Sequence, residues 1–124
     1  AAEIPGQYDI ARIQRAEQVA ACSGVPVVHR HQNLAFYSAR SDRITLPEAV
    51  QFNRPADYYC TLLHELVHST GHISRLAREG ITSSSRRFGD PVYAFEEIVA
   101  EIGSAFLCAE VGIEGDVQHE SYIA

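Results

Sequence analysis

Apolar residues recur at helical spacing in three stretches of the chain. From Tyr8 to Cys22, the residues Ile10, Ile13, Ala16 and Val19-Ala20 fall on one side of a helix closed by Gly24 and Pro26. From Ala56 to Ser69, Leu62, Leu63, Leu66 and Val67 form the apolar side, with Asn53 a candidate cap ahead of Pro55. From Tyr93 to Val111, Ile98, Ile102, Ala105, Phe106 and Ala109 cluster on one face and predict the core contact, with Gly112 as the stop. Between the first two helices, Val25–Arg30 and Leu34–Ser38 read as short strands around the polar His31-Gln32-Asn33 turn, and Arg43–Leu46 as a third. Pro47 suits the first turn of a short helix reaching Phe52. His72 to Asp90 is polar and Ser-rich, which predicts a mobile loop. The order of elements predicts an α+β fold, with helices packed on a small antiparallel or mixed sheet.

Composition narrows the class. A chain of 124 residues supports one domain and one core, and 46% hydrophobic residues place it among globular proteins. No apolar run approaches the ~20 residues a membrane span needs, which predicts no membrane role. The N-terminus is no signal peptide, and without an initiator Met the chain reads as a piece of something longer. Cys22, Cys60 and Cys108 are odd in number and contain no C-x-x-C, so buried thiols in a reducing cytoplasm are expected. Net charge is −6 and every basic residue is Arg. That balance gives no electrostatic footprint for nucleic acid, and Arg75, Arg78 and Arg86-Arg87 read as solvated loop residues.

The chemistry enters at His64-Glu65-Leu66-Val67-His68, an H-E-x-x-H signature in helical sequence. Residues four apart share one helix face, so both imidazoles can reach one zinc ion. Glu65 is then placed to act as general base toward a water the metal makes acidic. Zinc is the default for such a set, and manganese or another divalent ion suits the same N/O donors.

Two histidines leave a catalytic zinc one protein ligand short. Downstream, Glu97, Ala100, Glu101 and Ser104 share a face whose small residues would let a second helix approach the first closely. Glu97 is the expected third ligand. Glu101, one turn on, is expected to hold a ligand imidazole, and it is also the alternative third ligand. Glu96 reads as a solvated surface residue. The metal site is thereby expected between two helices.

Rival ligands fail on distance. His64 and His72 would lie about 12 Å apart along a straight helix, and Gly71 ends that helix. The same argument removes Cys60, which reads as a small hydrophobe beside the site. The longer metzincin pattern would need a third His where Ser74 stands. His29, His31 and His119 have no ligand spacing and read as ordinary surface or capped residues.

Several stretches together carry a family resemblance: Ala35-Phe36-Tyr37-Ser38, Asp42-Arg43-Ile44-Thr45-Leu46-Pro47, Tyr58 through His72, Arg75-Leu76, Phe88-Gly89 and Tyr93 through Gly103. They resemble the metallopeptidase-like domain of ArdC-type antirestriction proteins, also found in related plasmid DNA primases. The resemblance implies a zincin-like fold and a protein carried by plasmids, phages or other mobile DNA. It also implies a single-stranded-DNA-binding domain ahead of this one and a further helix beyond Ser121-Tyr122-Ile123, and neither has a counterpart here. Glu97-x-x-Ala100-Glu101 is similar, more weakly, to the ligand helix of thermolysin-like zincins.

Two functions compete. The first is a zinc metallopeptidase acting on a protein or peptide substrate, with His64, His68 and Glu97 on the metal and Glu65 as base. Arg43–Leu46 is then the expected sheet edge for an extended substrate. Tyr59, His72, Arg75 and Tyr93 are the candidates for stabilising the oxyanion. The second is a non-catalytic, metal-stabilised interaction module that inhibits or docks on a restriction or conjugation protein.

Overall fold

The computed structural model describes residues 10–83 and 90–113. Helix α1 (Ile10–Ser23) leads into strands β1 (Val27–Arg30), β2 (Phe36–Ser38) and β3 (Arg43–Pro47). A 3-10 turn (Ala49–Gln51) then precedes α2 (Pro55–Ser69), the short α3 (Glu79–Thr82) and α4 (Pro91–Val111). Tyr8, the expected start of the first helix, lies outside the described residues.

The sheet is mixed, in the order β1-β3-β2. β1 runs parallel to β3, with Val27 beside Ile44 and Arg30 beside Pro47. β2 runs antiparallel to it, with Phe36 beside Thr45 and Ser38 beside Arg43. The His31-Gln32-Asn33 turn therefore does not close a hairpin, because β3 inserts between the strands that flank it. Burial gives the reason: Ile44, Thr45 and Leu46 are all buried, and a strand buried on successive residues belongs in the sheet centre. Pro47 completes β3 rather than opening a helix.

α2 is the axis of the molecule, buried from Ala56 through Ser69. Its N-cap is Arg54, not Asn53, with Pro55 in the first turn, where a missing N–H costs nothing. α4 is capped by the Asp90 side chain accepting from the Val92 N–H. It ends at Gly112, whose φ of 80° is the left-handed conformation that closes many helices.

α4 lies on α2 with the opposite face from the one its large apolar residues predict. Glu96, Ala100, Ser104, Cys108 and Val111 are buried. Ile98 and Ile102 are each 55% exposed and Phe106 is 74% exposed. Two positions along a helix amount to about 200° of rotation, so either set can face inward but not both. Small side chains win because they allow close approach. A Cβ on Gly103 would lie 2.9 Å from both Val67 methyls. Gly103→Val should therefore destabilise the fold by about 2 kcal/mol or more, read as a lowered urea midpoint, since the β-branched Val67 has little rotamer freedom to yield.

The expected loop from His72 to Asp90 is ordered where it is described. Gly80 and Ile81 are buried, and a Cβ on Gly80 would collide with the Glu96 Cβ. This segment packs on α4 beside the glutamates. Arg86-Arg87 and Phe88-Gly89 lie outside the described residues.

Candidate metal centre

Helical periodicity puts His64 and His68 one turn apart on the α2 face that meets α4, with ring centroids 4.8 Å apart. Glu97 reaches between them. Its two carboxylate oxygens lie 3.3 Å from His64 Nε2 and 3.3 Å from His68 Nε2. One donor atom from each of the three residues lies within 4.8 Å of the others. Tetrahedral coordination with bonds of about 2.1 Å places ligand atoms roughly 3.4 Å apart, close to the two Glu97–imidazole separations, and the wider donor spacing would have to close on an ion.

Each imidazole turns its other nitrogen toward a carboxylate. His68 Nδ1 lies 2.8 Å from Glu96 Oε2, and His64 Nδ1 lies 3.5 Å from Glu101 Oε1. At His68 the hydrogen bond to Glu96 favours the tautomer that leaves Nε2 unprotonated, the form a metal requires, whereas Glu101 stands at ion-pair distance from His64. Glu101 thus stands on the far side of His64 from Glu97.

Glu96 departs from the sequence expectation altogether. It is 2% exposed, and both its oxygens accept from Arg78, at 2.8 Å from Nε and 2.9 Å from Nη2. Arg78 is anchored in turn on the Val67 carbonyl (2.8 Å) and the Thr70 hydroxyl (2.7 Å). A buried carboxylate needs such a partner, and here the partner comes from the segment that reads as a solvated loop. The result is a chain from Arg78 through Glu96 to His68. Composition around Glu96 gives no sign of it, because the pairing spans 18 residues and depends on α3 folding back.

The site's charges are strongly coupled. Hydrogen bonds from His64 and His68 hold the Glu97 carboxyl far below the usual carboxylate range. Burial pushes the His68 imidazole down, but its hydrogen bonds to Glu96 and Glu97 outweigh that and raise it to about 9. Burial raises Glu65 to about 7, against the lowering pull of His68, His64 and the Tyr37 backbone N–H. A carboxyl group poised near neutrality is suited to taking and returning a proton.

Glu65, His68, Glu96 and Glu97 share a cleft of about 150 Å³ with Ala35, Phe36, Tyr37 and Tyr93. β2 is the sheet edge at this cleft. β3, the expected substrate edge, is the central strand, and both its sides are already paired. Of the four expected oxyanion candidates, Tyr93 lines the cleft. Tyr59 donates to Glu17 at 2.7 Å on the α1 side, and His72 Nδ1 bonds Ser74. Arg75 pairs with Asp42 and donates to the Ser69 carbonyl at 2.8 Å. His29 bonds the Tyr58 hydroxyl at 2.7 Å, and exposed His31 pairs with Glu48, so neither joins the metal group. His119 lies outside the described residues.

The profile of a zincin-like metallopeptidase family, MPTase-PolyVal, matches residues 14–124. The chain belongs to this family. Two DNA primases TraC of Escherichia coli are each 44% identical to this zincin-like domain over 112 residues. The match covers 90% of the chain but 8% and 10% of the primases. The uncharacterized protein y4eC of Sinorhizobium fredii is 36% identical over 124 residues, covering 98% of the chain and 39% of y4eC. Among solved structures, the Mn(II)-bound antirestriction protein ArdC from plasmid R388 superposes with a TM-score of 0.73 at 34% identity. That match covers 98% of this zincin-like chain and 42% of ArdC. The metal-free ArdC structure gives a TM-score of 0.69. The chain thus spans less than half the length of each of these relatives. The α+β zincin-like fold and the antirestriction-type kinship expected from the sequence both hold.

Proposed function

We propose that this chain is a metal-dependent peptidase domain of a longer antirestriction-type protein from mobile DNA. The observation that carries it is the Glu97 carboxylate, 3.3 Å from both Nε2 atoms, beside a buried Glu65 that no ligand role requires. His64, His68 and Glu97 would hold the ion. Zinc suits the donor set, and the Mn(II) of ArdC shows that a relative accepts a second divalent metal. Once bound, the ion would polarise a carbonyl and make a water acidic enough to attack near neutral pH. Glu65 takes the proton from the attacking water and returns it to the leaving amine. An extended peptide lies along the β2 edge, beside Ala35, Phe36 and Tyr37. Tyr93, which lines the same cleft, would donate to the developing oxyanion.

A cytoplasmic location and a protein or peptide partner belong to the same proposal. Cys22, Cys60 and Cys108 are free, as suits a reducing cytoplasm. Among the described residues, no helix is long and apolar enough to cross a membrane. The net charge of −6 argues for a protein or peptide partner rather than nucleic acid at this domain.

That acidity, together with the antirestriction kinship, favours one second reading: a domain that holds metal for stability and occupies a DNA-binding protein by charge. Incubation of the zinc-loaded chain with an unfolded protein or a mixed peptide library separates the two. The peptidase reading expects cleavage that chelator stops and added zinc or manganese restores. Intact peptides across every metal tested would favour the interaction module.

A further inference from the structure

The α2–α4 seam carries paired residues beyond those of the metal centre. His68 meets Glu96 and Glu97, His64 meets Glu101, and about one turn further along α2 and two along α4, Cys60 meets Cys108. The two sulfur atoms are 3.0 Å apart, inside ordinary sulfur–sulfur contact, and each residue is under 10% exposed. Forty-eight residues separate them in sequence, so only the packing of α2 on α4 brings them together. The metal ligands are two histidines and a glutamate, and Glu65 is the base, so the proposed chemistry uses neither thiol.

We infer that Cys60 and Cys108 form a reversible disulfide that locks α2 to α4 when the protein meets a peroxide. Atoms and electrons balance in two steps. One thiolate attacks a peroxide oxygen, becomes a sulfenic acid and releases hydroxide, which with the thiol's proton makes the first water. The second thiol attacks that sulfur, the S–S bond forms, and the sulfenic oxygen leaves as a second water. Two electrons pass from the sulfurs to the peroxide. Either sulfur can be the donor in the contact between them, so either thiol can take the first step and the other resolves it. The bond joins the same two helices that bring His64, His68 and Glu97 together. Its formation does not depend on whether the site binds metal.

The test uses the full chain carrying Cys22→Ser, which removes the exposed thiol and any cross-linking between molecules. The metal-free protein is treated with hydrogen peroxide and then examined by intact mass, peptide mapping and thermal melting. The expected result is loss of two hydrogens, a peptide linking Cys60 to Cys108, and a melting midpoint raised by roughly 5–15 °C. Dithiothreitol should reverse all three. Two thiols still titratable after denaturation would overturn the inference, as would oxygen addition at either cysteine without a linked peptide. A linked peptide with no rise in melting would overturn the lock. Cys108→Ser should yield no linked peptide. If that variant misfolds, the mapping of the Cys22→Ser protein still decides.

Discussion

Glu65→Gln should retain one equivalent of metal and lose peptide hydrolysis by about 10²–10⁴-fold in kcat/KM. The substitution keeps the shape of the side chain, so the backbone N–H of Tyr37 still finds an acceptor in the amide oxygen. What disappears is the capacity to accept a proton. His64, His68 and Glu97 are untouched, so metal content should match that of the parent protein. A fluorogenic peptide cleaved by the parent provides the rate, and elemental analysis of the same samples provides the metal. Full activity in Glu65→Gln would remove the general-base role. A variant that has lost its metal as well would show that Glu65 holds the site together instead.

Glu96→Ala should weaken metal binding by roughly 10–100-fold, although Glu96 is not itself a ligand in this account. Two effects add. His68 loses the carboxylate that fixes its tautomer and ring orientation, and Arg78 is left without the carboxylate that both its Nε and Nη2 reach. Arg78→Ala should act in the same direction by leaving the buried Glu96 carboxylate without its guanidinium. Competition with a chromogenic chelator gives the affinities, and circular dichroism shows whether the fold survives. If each single substitution weakens binding and the double variant is no worse than the worse single one, Arg78 and Glu96 act as one unit. Unchanged affinity in folded Glu96→Ala would reduce the chain from Arg78 to His68 to a purely structural contact.

How much of this was legible in the sequence depended on how local each relationship is. The H-E-x-x-H pair needs only the helical repeat, so its geometry follows from spacing once α2 is a helix. Pro55 and Gly112 mark boundaries by backbone chemistry and do so here. The small residues of the Glu97 face, Ala100 and Ser104, signal close helix approach, and both are buried; Gly103, which that reading does not include, is the residue that meets Val67 of α2. The same helix misled on its other face. Ile98, Ile102 and Phe106 form a cleaner apolar stripe than the buried set does, and hydrophobicity alone put them inside. The close approach of α4 to α2, which leaves no room for even a Cβ at Gly103, overrides that stripe. Glu96 was hidden for a related reason: its partner, Arg78, reaches it only through the tertiary packing of Gly80 against α4. The strand order was equally non-local, since nothing within three strands of 3–5 residues says that the last lies between the first two.

In the proposed site, His64, His68 and Glu97 hold one divalent ion between α2 and α4. Metal content of the purified chain, after incubation with zinc and removal of excess, tests it beside His68→Ala and Glu97→Ala. One equivalent is expected in the parent protein and a near-complete loss in both variants, with helical content retained. A parent protein that takes up no metal, or a Glu97→Ala variant that keeps its full equivalent, would contradict it.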